Sequence, residues 1–204
     1  MPEWRKFTLP SIGNDLVGLT LAANIGKSRD LRFIRRVCTL AERDAVEKAE
    51  NPDQVLWAFW ACKEAAYKAA VKLRPVSFIP RSFQVHLDGQ KGGWVHTPVG
   101  VFRVRLQVGS DFVHALAFSQ DTREDDIATQ IWHLEPGDES AVLRKRALSF
   151  LSRLLNYPEE SLEIRRTREG NRLGPPRLFL ESRPLKVDLS LSHDGQYGAL
   201  AVTA

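Results

Sequence analysis

The chain reads as an α+β protein made of two pseudo-twofold-related halves, each a long helix packed on a mainly antiparallel sheet. Three observations predict this. Residues 51–73 form one long helical stretch rich in alanine, the strongest helix former. Runs at 82–87, 101–108 and 112–118 are alternately or uniformly apolar and are parted by Gly-containing turns, which is the pattern of an antiparallel meander. Finally, Phe112-Val-His-Ala-Leu-Ala-Phe-Ser119 is echoed by Tyr197-Gly-Ala-Leu-Ala-Val-Thr203, each following one long helix and further strands.

The elements follow in order. Residues 12–19 are extended. Residues 31–40 form a basic amphipathic stretch, with Leu31, Phe33, Ile34, Val37 and Leu40 set among Arg29, Arg32, Arg35 and Arg36. Thr39 and Glu42 have the spacing of a capping box, so a short helix through Val46 follows. Asn51 suits the cap of the long helix and Pro52 its first turn, and the helix stops before Pro75. After the meander, the polar and acidic segment 119–126 is the expected internal boundary, dividing the chain into 1–120 and 121–204. A strand at 127–134, a helix at 140–155 and extended segments at 162–167, 177–180, 187–192 and 197–202 complete the second half.

Composition narrows the functional classes. The 204 residues are 43% hydrophobic and 26% charged with a net charge of +4, which excludes disorder, collagen and coiled coil as the whole answer. No apolar run approaches the roughly 20 residues of a membrane span. Met-Pro-Glu-Trp-Arg-Lys has no apolar core after its charges, and two cysteines cannot make a disulfide framework. A reduced, cytoplasmic setting is therefore expected, with no membrane partner. The positive excess fits an anionic partner.

Three features carry potential chemistry. Asp15 is an acid in an extended segment, where acids are depleted; Gly13-Asn14-Asp15 is equally good turn chemistry. Trp60, Glu64 and Lys68 are spaced i, i+4, i+8 and so line one helical stripe, although Glu64 and Lys68 alone also fit an ordinary surface pair. Leu189-Ser190-Leu191-Ser192-His193-Asp194-Gly195 ends an apolar strand. Its Ser-His-Asp run is not a hydrolytic triad, because neighbouring side chains on a strand alternate faces.

Together these features resemble the 4'-phosphopantetheinyl transferase superfamily. The family's Gly-x-Asp segment is matched by Gly13-Asn14-Asp15, its Trp-x-x-Lys-Glu-Ala-x-x-Lys by Trp60-Ala-Cys-Lys63-Glu64-Ala-Ala-Tyr67-Lys68, and its Ser-His segment by Ser192-His193. Relative to the monomeric surfactin-synthetase-activating type the halves come in reversed order, so the chain looks like a circular permutation. Val17 stands where such members often carry a second acid; the holo-acyl-carrier-protein synthases lack that acid.

The resemblance implies transfer of phosphopantetheine from coenzyme A to a serine of an apo acyl or peptidyl carrier protein, releasing 3',5'-ADP. It implies a pseudo-dimeric monomer in fatty acid, polyketide or nonribosomal peptide biosynthesis. Mg²⁺, or Mn²⁺, is then held by Asp15 and Glu64. Glu64 also takes the serine proton, and Lys68 faces the pyrophosphate. Ser192, His193, Arg172, Arg144 and Lys63 are the expected coenzyme A contacts, with Lys63 alternatively only flanking the site. The arginines at 29, 32, 35 and 36 are a candidate docking face for an acidic carrier. Alternatives are a non-catalytic family member that binds coenzyme A or a carrier, and a basic nucleic-acid-binding α+β protein. The latter needs a basic stripe with exposed aromatics, whereas Phe33 reads as core. A metal-dependent phosphoesterase needs more acids or histidines than these.

Overall fold

The computed structural model describes residues 10–89, 91–169 and 172–203, and the side chains of all but residues 167–169 and 172 among them. The fold is α+β, with all strand pairing antiparallel. Strand β1 (Ile12–Gly18) leads through a turn to helices α1 (Leu31–Val37) and α2 (Leu40–Glu47). The long helix α3 (Pro52–Leu73) follows. Then come strands β2 (Gln84–Leu87), β3 (Gly92–Thr97), β4 (Gly100–Val108) and β5 (Phe112–Ser119). The second unit runs through β6 (Ile127–His133), α4 (Glu139–Leu155), β7 (Leu162–Glu169), β8 (Arg172–Leu180), the two-residue β9 (Arg183–Pro184), β10 (Leu189–Asp194) and β11 (Tyr197–Thr203).

Local signals in the sequence account for the helix ends. Thr39 caps α2 in a reciprocal box: its hydroxyl accepts from the Glu42 amide, and Glu42 accepts from the Thr39 amide. The Asn51 side chain accepts from the Gln54 amide at the start of α3. Asp138, one residue before α4, accepts from the Ala141 amide.

The first sheet has the order β1-β5-β4-β3-β2 and packs one face on α3. Strand β3 was not foreseen: its Gly92-Gly93 start and polar residues hide the period-two pattern. The second unit does not form one sheet. It divides into β10-β11-β6, covered by α4, and the ribbon β7-β8-β9. A common topology still links the units. In β1-β5-β4 and in β6-β11-β10, the last strand of the unit lies between its first strand and the strand before it. The echoed segments are these two central strands, β5 and β11. Ile12, Leu116 and Phe118 of one unit pack with Ile127 and Ala201 of the other.

The seam between units is made by side chains. The outer edge of β1 faces β10. The Ile12 amide donates to Asp188 Oδ2 (2.8 Å), Asn14 to Ser190 Oγ (2.9 Å) and Gly18 to Asp194 Oδ2 (2.9 Å). The partners advance in step, so β1 and β10 run in the same direction. Lys72, near the end of α3, completes the joint by donating to Ile12 O (2.6 Å), Asp188 Oδ1 (2.7 Å) and Leu189 O (2.9 Å).

Candidate active site at the seam

Gly13 decides how closely β1 approaches α3. A methyl group at position 13 would sit 2.1 Å from the Ala65 carbonyl oxygen and 2.6 Å from the Ala69 amide nitrogen. Only glycine opposite a helix face of fully buried alanines (Ala65, Ala66, Ala69) permits this contact. Asp15, two residues on and therefore on the same face, meets Lys68 of the same stretch of helix. Its Oδ1 accepts from Lys68 Nζ at 2.7 Å, and Lys68 also donates to Asn14 O at 3.0 Å.

Glu64, half-buried one turn before Lys68, completes the group. Burial raises the Asp15 pKa against the opposing pull of Lys68, and the negative charge of Asp194 raises it further. Burial, and then the negative charge of Asp15, pushes Glu64 up from 4.5 to about 7, again opposed by Lys68. The charge of Asp15 thus resists ionisation of Glu64. Among the described residues, no three His, Cys, Asp or Glu side chains gather into a ready-made metal cage. Asp15 is paired with the Lys68 ammonium, and Glu64 adds hard oxygen donors that no ion pair engages among the described residues, a donor set that fits a hard divalent cation.

The adjoining cleft, of about 340 Å³, lies between α3 and the β8–β10 region. Glu64, Lys68, Lys72, Arg166 and Ser190 give it a polar wall; Tyr67, Val71, Val76, Leu173 and Pro176 give it an apolar one. Two larger grooves lie elsewhere. One, of about 670 Å³, runs between α1, α2 and the start of α3; the other, of about 470 Å³, lies beside Val55, Leu87 and Val108. Neither is lined by Asp15, Glu64 or Lys68, so chemistry rather than size marks the smaller cleft.

The other residues singled out in the sequence separate. Ser192 is buried toward β1, and its hydroxyl has no hydrogen-bond partner among the described residues. His193, its neighbour on the strand, is exposed on the opposite face, the side of Leu189, Leu191 and α4. The two therefore do not share a wall as expected. Arg144 is exposed on α4, near enough to Arg166 to lower its pKa, second only to the effect of burial. Arg172 begins β8, but its side chain lies outside the described ones, as does the turn at 170–171.

Lys63 is the clear correction. It lies fully buried on another face of α3. There it pairs with Glu42 (2.9 Å) and donates to Pro80 O (3.0 Å) and Phe83 O (2.5 Å), so it does not reach a nucleotide. A lysine next to the stripe in sequence lies about 100° away around a helix. Reasoning from sequence missed Lys72 and Arg166. Lys72 was within reach, since it extends the stripe of Trp60, Glu64 and Lys68 by one more turn. Arg166 had no signal in the sequence.

Residues 11–132 match the family model of the 4'-phosphopantetheinyl transferase superfamily. The chain belongs to that superfamily. The match spans β1 to β6, and so includes Asp15, Glu64 and Lys68. Membership in the phosphopantetheinyl transferase superfamily makes the protein a transferase by class. No curated protein sequence matches the chain. No helix among the described residues is long and apolar enough to cross a membrane.

Proposed function

We propose that this phosphopantetheinyl transferase moves 4'-phosphopantetheine from coenzyme A to a serine of an apo acyl or peptidyl carrier protein, releasing 3',5'-ADP. The carrying observation is the convergence of Asp15, Glu64 and Lys68 beside a cleft walled by both units. In this reading 1–120 is the catalytic half and 121–204 the coenzyme A half, a circular permutation within one monomer.

Asp15 and Glu64 would hold Mg²⁺ (Mn²⁺ is chemically close), which supplies charge neutralisation at the pyrophosphate when bound. Glu64 accepts the proton of the carrier serine, directly or through water. Lys68 steadies the charge that develops as the P–O bond to 3',5'-ADP breaks. Once substrate phosphate enters, its ammonium has two anionic partners to choose between. The unpartnered Ser192 hydroxyl is a donor for a nucleotide phosphate. Arg144 and Arg166, which repel each other, gain from an anion placed between them; Arg172 and His193 are further candidates from the same unit. Arg32, Arg35 and Arg36 are exposed on α1, whose Phe33 packs on Trp57 and Trp60, one turn from Glu64. That neighbourhood supports an acidic carrier docking there.

The test is direct. Purified protein, coenzyme A, Mg²⁺ and an apo carrier are combined, and the carrier is weighed by mass spectrometry. The expected result is one phosphopantetheine added at serine. A natively folded enzyme that modifies none of several acyl and peptidyl carriers overturns the reading and leaves the non-catalytic binder, which a coenzyme A-dependent rise in melting temperature would identify.

A further inference from the structure

The outer face of the first sheet, opposite α3, carries a cluster that the transfer reaction does not use. Val85 and Val95 point into the core against α3, so His86, Trp94 and His96, alternating with them, point outward. In the register of β2 and β3, His86 stands opposite Trp94 and Gln84 opposite His96. All three ring-bearing residues are exposed, Trp94 by 42%. The His86 and Trp94 rings are stacked, with centroids 6.0 Å apart and an 18° interplanar angle, which steadies the imidazole of His86. The His86 and His96 rings lie 5.2 Å apart at 73°. Neither imidazole has a hydrogen-bond partner among the described residues.

That spacing has chemical meaning. Two imidazoles bound to one tetrahedral ion through nitrogens at about 2.0–2.1 Å place their ring centres about 5 Å apart. On this face Arg103, opposite Trp94, is turned toward Glu124 (3.6 Å) and the Phe118 ring (5.2 Å), and Arg105 pairs with Glu124 (3.2 Å), so both charges are engaged. Strand positions hold the pair more firmly than loop positions do.

We propose that His86 and His96 form a binding site for a borderline divalent transition ion such as Zn²⁺, Ni²⁺ or Cu²⁺, with water completing its coordination. Imidazole suits these ions and discriminates against Mg²⁺, so the site is chemically separate from the Asp15–Glu64 pair. It does not depend on the transferase reading.

The experiment titrates the full chain with ZnCl₂ by calorimetry in excess Mg²⁺, and with CuCl₂ while tryptophan emission is recorded. One Zn²⁺ per chain is expected, together with Cu²⁺ quenching of the emission share that Trp94→Phe removes. His86→Ala and His96→Ala should each weaken Zn²⁺ binding at least tenfold, while His133→Ala, on another strand, and the double variant Asp15→Asn/Glu64→Gln retain it. Both histidines are exposed, so circular dichroism is expected to be unchanged. Absence of Zn²⁺ uptake by the parent chain overturns the proposal. So does parental affinity in either histidine variant, or loss of binding in the Asp15/Glu64 double variant.

Discussion

At the scale of single residues, the proposed chemistry rests on carboxyls that resist ionisation. Glu64 is the sharper case. Its proton is held in the folded chain up to about pH 7 and released near 4.5 in the unfolded one. Between those values the native state binds the extra proton, so the contribution of Glu64 to stability is full below about pH 4.5 and is lost as pH rises through 7. Denaturation curves recorded across this window without divalent ions should show a fall that Glu64→Gln removes. The same substitution keeps the shape of the side chain and deletes the proton acceptor. Transfer should drop by about 10²–10⁴-fold, the usual contribution of a positioned base, with the native fold retained by circular dichroism. A variant transferring at the parent rate would take the base role away from Glu64. Asp15 and Glu64 stand out in the sequence because an acid on a strand and an acid in a mostly apolar helix both go against local preference, and the fold brings both beside Lys68. Ser192 and His193 were legible as a motif but not as a geometry. Their alternation across β10 follows from period two, and it sets one inside and the other outside.

At the scale of elements, two contacts carry the argument. The first is β1 against α3 at Gly13. Gly13→Ala forces a methyl into the helix backbone, so a loss of about 1–3 kcal/mol is expected in chemical denaturation, with transfer impaired as Asp15 is pushed off Lys68. The second is the buried Glu42–Lys63 pair, which ties α2 to α3. Glu42 accepts from the amides of Thr39 and Val85, and Lys63 reaches the carbonyls of Pro80 and Phe83. Removing one partner, as in Glu42→Ala, should cost about 3–5 kcal/mol, because an ammonium is then stranded without its counter-ion. The helices themselves were readable from caps, proline and alanine content. The capping glutamate's second duty as counter-ion to Lys63 was not, since nothing local links positions 42 and 63. Strand β3 escaped for a similar reason: its pairing is decided by neighbours rather than by its own residues.

At the scale of the whole molecule, the cleft beside Glu64 and Lys68 has its second wall only because β10 and its neighbours are held against β1 and α3. Lys72 and Asp188 are the latch. Burial lowers the Lys72 pKa, and Asp188 counters that shift. Lys72→Met removes donors to both units. It should lower stability by about 2–3 kcal/mol, in line with charged hydrogen bonds, and raise the KM for coenzyme A more than it lowers kcat. An unchanged KM would mean that the latch does not set the cleft. The like placement of β5 and β11, each between two strands of its sheet, was readable from their echo in the sequence. The division of the second unit into a sheet and a separate ribbon was not, because strand segments in sequence do not say which edges they join.

The border between β1 and β10 has one more implication. A ladder of peptide groups is the same whatever the sequence, and evolution can hardly adjust it. Here each rung is instead a particular aspartate, serine or lysine, encoded by its own codon. The fit of the two lobes, and with it the width of the crevice, can therefore be retuned one substitution at a time while both sheets stay whole.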